Sequence, residues 1–195
     1  MEHWKELYKS RTMTADEAVK LIHSGNRVVL GHAVGEPCHL VDAMVHNAAA
    51  YQDVEIVHMV AMGKSEYCKP EYKGHFRHNS IFTGGPTRKA VESGQADFTP
   101  CFFFEVPKLF HTTLPVDVAL ISVTPPDETG MCSLGVSVDY TYAAAKAAKL
   151  VIAQVNAKMP RTYGTRLSVS DIDVFVPFDE PVLVLPAPKI GAVEE

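Results

Sequence analysis

The sequence predicts an α/β domain, a largely parallel open sheet flanked by helices. Three observations predict it. Short β-rich runs alternate with helical patterns along most of the chain. Several runs, VDVALIS and LVIAQVN among them, are almost continuously apolar, the pattern of strands covered on both faces. Glycine or proline follows these runs, where the backbone must turn sharply.

The elements follow in order. MEHWKELYKS is a polar, helix-like opening. TADEAVKLIHSG is a second helix, with Thr14 and Glu17 forming a capping box and Gly25 as the natural stop. NRVVLGH is a short strand, and PCHLVDAMVHNAAAY has proline in its first turn and helical apolar spacing. VEIVHMV is the next strand, and residues 64–79 form a polar, aromatic connection that is irregular in part. SIFT is then a strand, GGPTRKAVESG a glycine turn and short helix, and ADFTPCFFFEVPKLF a further strand, turn and short helix. VDVALIS is a buried strand that runs into the stiff turn TPPDETG. DYTYAAAKAAKL is helical, LVIAQVN a clear strand, AKMPRTYGT a loop and DIDVFVP a last strand. Residues 1–180 therefore read as one domain. The proline-rich tail, residues 181–195, reads as a linker toward another element.

Composition narrows the function classes. The 195 residues suffice for one domain with a sizeable core. Shares of 47% hydrophobic and 21% charged residues are those of an ordinary globular protein. A formal charge of −5, with only short basic groupings, argues against nucleic acid as a partner. No apolar run reaches the roughly 18 residues of a membrane span, and the opening has no signal-peptide pattern. Four scattered cysteines without a CxxC fit free thiols in a reducing compartment, so a cytoplasmic location is expected.

In open α/β sheets, ligands sit outside the carboxyl ends of the strands. The candidate binding residues are accordingly those that follow strands: Gly31, His32, Gly35 and Pro37; Met62 and Gly63; Gly84 and Gly85; Pro126, Asp127 and Gly130; Asn156 and Met159. Gly84 and Gly85 precede a helix, where N–H groups can meet an anion, and plain turn chemistry explains the same glycines. Glu36 and Glu105 are acids in such loops and suit acid/base work, or simple exposure. Metal chemistry has little support. His75 and His78 form an HxxH near His58 and Cys68, without an acid-rich partner set, so surface or loop histidines are the better reading. GxSxG, GxGxxG and Walker patterns are all absent. Spacing alone identifies no nucleophile.

The stretch SVTPPDETGMCSLG and the segment IAQVNAKMPRTYG add more. They resemble the acetyl-CoA hydrolase/4-hydroxybutyrate CoA-transferase family of class I coenzyme A transferases, in its N-terminal half. The family pattern S-x-P-D-x-x-G-x-x-S-L-G is met by Pro126, Asp127, Gly130, Ser133, Leu134 and Gly135. The later pattern IAQVN-x-x-MPRT-x-G is met by Asn156, Met159, Pro160 and Arg161. GHAVGEPCHLVDAM, SEYCKPEYKGHF and AVESGQADFTPCFFFEVPKLF agree too, so the resemblance covers nearly the whole chain. Thr124 departs from the usual serine and keeps its hydroxyl.

The resemblance implies an enzyme of two similar α/β halves that moves coenzyme A between an acyl-CoA and a carboxylate such as acetate. A glutamate attacks the thioester, giving an acyl-glutamyl anhydride and then a glutamyl-CoA thioester. That glutamate is expected in the C-terminal half, so no catalytic residue is assigned here. The chain is expected to be inactive without that half, which would be its partner, and to form a homo-oligomer when complete. Coenzyme A enters as substrate and no resident cofactor is expected. The residues named above are expected to line the acyl or carboxylate pocket, with Asp127 serving mainly its own turn. An acyl-CoA hydrolase half and a non-catalytic carboxylate-binding or assembly domain are the alternatives.

Overall fold

Seven strands pair in parallel in the order β4-β3-β2-β1-β5-β7-β9, in a computed structural model that describes residues 3–187 and 191. They are β1 (Arg27–Leu30), β2 (Val54–His58), β3 (Phe76–Ser80), β4 (Asp97–Phe98), β5 (Val118–Val123), β7 (Leu150–Val155) and β9 (Val174–Pro177). The chain begins mid-sheet with β1, works outward to β4, then returns to pair β5 with the other side of β1. The strand order therefore reverses between β1 and β5, where an open parallel sheet forms its binding crevice.

The central strands β1, β5 and β7 are buried on both faces. Val28 and Leu30 join the core on one side, with Leu40 and Met44 of α3 (Cys38–His46). Their neighbour Val29 joins the core on the other, with Tyr140 and Ala144 of α6 (Asp139–Ala147). Successive side chains of a strand point to opposite faces, so two helical layers explain the continuous apolar runs.

Local signals account for most boundaries. At α2 (Ala15–Ala18) the Glu17 carboxylate accepts from Thr14 N–H at 2.9 Å, and Glu17 N–H donates to the Thr14 hydroxyl at 3.3 Å, as the capping box requires. The α-helix is brief, passing into a 3₁₀ turn at Val19–Leu21. α1 (His3–Ser10) lays Trp4, Leu7 and Tyr8 on the β5–β7 side of the core; Met1 and Glu2 lie outside the described residues. α4 (Gly85–Glu92) and α5 (Val106–Leu109) fall where glycine and proline open them.

Two elements depart from the expectation. β3 is FRHNS rather than SIFT, ending where the expected strand begins. Its polarity hides it: His78 Nδ1 bonds the Ile56 carbonyl at 3.0 Å, and the Asn79 amide donates to Glu55 at 2.8 Å. A second, antiparallel sheet pairs β6 (Met131–Ser133) with β8 (Arg166–Ser168), each too short to show a period.

Tyr140 ties α6 to the carboxyl ends of β1 and β2. Its buried hydroxyl donates to the Leu30 carbonyl at 2.9 Å and accepts from Met59 N–H at 3.4 Å. Tyr140→Phe leaves both backbone groups short of a partner, and we expect a loss of about 1–2 kcal/mol in urea unfolding. An unchanged midpoint would show that the pin contributes nothing.

Candidate functional site

After β1 the chain makes a 3₁₀ turn, Ala33–Gly35, and delivers Glu36 to the crevice. The turn is crowded: a Cβ on Gly31 would lie 2.8 Å from the Gly35 carbonyl, and one on Gly35 would lie 2.7 Å from Ser137 Cβ. Only hydrogen fits at either position. Pro37 then occupies the N-cap position of α3 without a side-chain bond of its own.

Glu36 is only 4% exposed. Its Oε2 accepts from Met62 N–H at 3.0 Å and Gly63 N–H at 2.8 Å, two amides beyond the end of β2. Burial pushes this carboxyl above the usual carboxylate range, while the Gly63 and Met62 N–H bonds pull the other way. Its Oε1 is buried and has no hydrogen-bond partner among the described residues. Gly63 makes this packing possible, since a Cβ there would lie 2.6 Å from Oε1. A cavity of about 440 Å³ opens beside the carboxyl, with Cys38, Asp42, Met62, Gly63 and Lys64 in its wall.

Glu36 also borders a second, smaller cavity, walled by Ser122, Asn156, Met159 and residues 180–183. Asn156 ends β7, and its side chain holds residue 180 by two bonds: Nδ2 donates to the Glu180 carbonyl at 2.8 Å, and Glu180 N–H donates to Oδ1 at 3.3 Å. The Glu180 carboxylate accepts from Gln154 Nε2 at 2.5 Å. Residues 180–183 thus border the crevice; residues 188–190 and 192–195 of the tail lie outside the described residues. Met159 is buried with its thioether over Gly135, whose φ of +62° only glycine adopts readily.

Glu36, Met62, Gly63, Asn156 and Met159 therefore meet around two adjoining cavities. The other candidates sit outside these walls. His32 Nδ1 bonds Asp139 Oδ2 at 3.0 Å, and its ring lies among Tyr140 and Phe103. Gly84 and Gly85 open α4 farther along the same sheet edge. Pro126, Asp127 and Gly130 belong to the turn before β6. There Asp127 Oδ1 accepts from Thr129 N–H, the Thr129 hydroxyl and Met131 N–H at 2.6–3.0 Å, while Oδ2 faces Arg161 and Arg166. The Thr129 and Met131 bonds hold its pKa at about 2. Gly130, at φ +79°, packs against Trp4. Thr124 uses its hydroxyl to accept from Ser133 N–H at 3.0 Å.

His58 spends both ring nitrogens on the fold, and His75 and His78 spend one each. His58 Nε2–H donates to the Gly31 carbonyl at 3.0 Å and its Nδ1 accepts from Tyr67 at 3.2 Å; His75 and His78 each bond a strand or loop carbonyl. Burial pulls His58 down to about 3 and His78 to about 4, which keeps both neutral. Among the described residues no three ligating side chains are grouped to hold a metal ion.

Sequence reasoning did not select Cys38, Ser122, Gln154 or Glu180. Gln154 left a trace, a lone amide inside the apolar run LVIAQVN. It is 1% exposed, and its Oε1 accepts from His39 N–H at 3.2 Å and Leu40 N–H at 3.4 Å, capping α3. Glu180 left none, because its partners are distant in sequence.

A parallel sheet whose order reverses at a buried carboxyl crevice defines an α/β ligand-binding domain. The chain belongs to the acetyl-CoA hydrolase/transferase family, matching the family's N-terminal domain over residues 1–186. It is 58% identical over 194 residues to a 4-hydroxybutyrate coenzyme A transferase of Clostridium kluyveri, covering 98% of this chain and 45% of that protein. A solved 4-hydroxybutyrate CoA-transferase from Porphyromonas gingivalis superposes with a TM-score of 0.80 at 35% identity, over 95% of this chain and 44% of that one. RipA from Yersinia pestis does so at 0.91 and 25% identity, over 97% and 47%. The chain thus spans less than half the length of these relatives.

The Asp127 turn gives a pH test. Its carboxyl titrates at about 2 when folded, against roughly 3.9 in an unfolded chain. The stabilisation is complete above about pH 4 and is lost as pH falls toward about 2. Wild type should exceed Asp127→Asn in urea stability near about pH 6, with the gap closing by about pH 2. A gap independent of pH would remove the carboxylate from the account.

Proposed function

We propose that the chain is the N-terminal part of a CoA-transferase moving coenzyme A between a short-chain acyl-CoA, 4-hydroxybutyryl- or butyryl-CoA, and acetate. The observation that carries this reading is the 58% identity to the Clostridium kluyveri enzyme along 98% of the chain. A butyryl-CoA:acetate CoA-transferase of Anaerostipes caccae, 31% identical over 92% of this chain, supports the butyryl alternative.

In this reading a glutamate of the C-terminal half attacks the thioester carbonyl and expels the CoA thiolate, leaving an acyl-glutamyl anhydride. The thiolate attacks the glutamyl carbonyl, releases the acyl carboxylate and forms glutamyl-CoA; acetate then reverses the sequence. Coenzyme A is substrate throughout. This chain supplies one wall of the acyl pocket. Met62 and Met159 bring flexible thioethers that adapt to an acyl chain. The Glu36 clamp fixes the Met62–Gly63 backbone, and Asn156 holds the covering segment at residue 180.

The test is to assay acetyl-CoA formation from butyryl-CoA and acetate. The 195-residue chain alone should be inactive. Adding the C-terminal half of the Clostridium kluyveri relative should restore transfer. Activity in the isolated chain would overturn the placement of the nucleophile, and CoA release independent of acetate would favour the hydrolase.

A further inference from the structure

We propose that the turn carrying Phe102, Phe103 and Phe104 is a docking surface for the C-terminal half of the enzyme, its rings buried between the two halves. The proposal rests on the CoA-transferase reading, which supplies that half. The three consecutive phenylalanines are 71%, 50% and 81% exposed. The turn that presents them is held firmly. Glu105 N–H donates to the Phe102 carbonyl at 2.9 Å, and the Glu105 carboxylate accepts from Phe102 N–H at 2.9 Å. Val106 and Phe110, both buried, anchor the following residues in the core. On the outside, the Phe102 and Phe104 rings stack at 5.8 Å and 12°, while Phe103 meets the His32 ring edge-on at 5.7 Å. Clustered apolar exposure of this kind marks an interaction site on a globular domain.

The surroundings narrow the kind of partner. Phe102, Phe103, Phe104, Pro107 and Tyr140 wall an open apolar concavity of about 580 Å³. The one charged residue in that wall, Asp139, is occupied by the His32 ring and the Ser137 hydroxyl. Among the described residues no lysine or arginine lines it, so an anionic lipid surface finds no counter-charge there. The concavity suits the apolar face of another folded domain.

Position and area then select which domain. The turn follows β4, and two more exposed rings, Phe82 and Phe98, lie just beyond β3 and at the end of β4. All five rings therefore sit along the carboxyl edge of the sheet, the edge that also holds the crevice. Three partly covered phenylalanines offer roughly 300–500 Å² for further burial. A stable interface takes about 800 Å² from each partner. A second copy meeting this turn with its own falls short of that area. A domain that also closes the crevice continues the contact along the edge. The relatives have the chain length for one: the matched part is 45% of the Clostridium kluyveri enzyme and 44% of the Porphyromonas gingivalis one, leaving more than half of each outside it.

Hydroxyl-radical footprinting reads the exposure of the three side chains directly. It is applied to the 195-residue chain and to the same chain fused to the C-terminal half of the Clostridium kluyveri relative. We expect rapid oxidation of Phe102 and Phe104 in the chain alone, slowed at least about fivefold in the fusion, as for residues in an interface core. The double variant Phe102→Ser, Phe104→Ser should leave the urea midpoint of the isolated chain unchanged or raised, and lower that of the fusion. A lowered midpoint in the isolated chain overturns the proposal whether or not the fusion folds, because the rings then serve this domain's own core. Equal oxidation in chain and fusion overturns it too. So does protection in the chain alone accompanied by a dimer in sedimentation equilibrium, which assigns the surface to a second copy, or protection that requires phosphatidylcholine vesicles. The transfer assay stands apart from these readouts. Protection without transfer counts against the proposed function alone, and transfer without protection against this inference alone.

Discussion

Pairing β1 in parallel with both β2 and β5 is the constraint on which the site depends. Parallel strands place all their carboxyl ends on one edge, and the reversal of order leaves the loops after β1 and β5 free to part. Ser122, Glu36 and Asn156 converge there because three strands stop at nearly the same height. Hydrogen-bond register, fixed by residues far from the crevice, decides which side chains meet inside it. Val28 facing both Ile56 and Val118 aligns the loop carrying Glu36 with that carrying Met62.

Within this frame the polar contacts divide by purpose. Those at the Asp127 turn satisfy each other and sit near solvent, so they shape backbone. Glu36 has the opposite character, being dehydrated and half satisfied. Desolvation raises the free energy of its charged form, and two amide dipoles offset part of that cost. Such a group persists in a fold when the surrounding structure gains stability elsewhere, here from apolar layers on both faces of the sheet.

The fold was legible in the sequence because its signals are local. The capping box at Thr14, the continuous apolar runs of β5 and β7, and glycine or proline at the helix starts each act within a few residues. β3 was misplaced by a few positions because its side chains bond across strands, giving buried polarity that reads as a loop. β6 and β8 pair across more than thirty residues, and three-residue strands carry no period. The site was legible in part for the same reason. Met62, Gly63, Asn156 and Met159 follow strands and could be named from position. Glu36 could be noted as an acid in a loop, but its burial depends on Gly63, which lies 27 residues away. Glu180 and Gln154 needed the third dimension altogether.

The sulfur of Cys38 shares the wall with Glu36, in both cavities. Burial and the neighbouring Glu36 carboxyl push its thiol up to about 12. At neutral pH the thiol therefore stays protonated, whereas the thiolate is the form that attacks an acyl group. In the acyl-transfer reading proposed above, a thioester held in this cavity would meet a protonated sulfur rather than a competing nucleophile. Dehydration of the wall, with the Glu36 carboxyl beside it, keeps the Cys38 sulfur protonated, a form of chemoselectivity written into the wall.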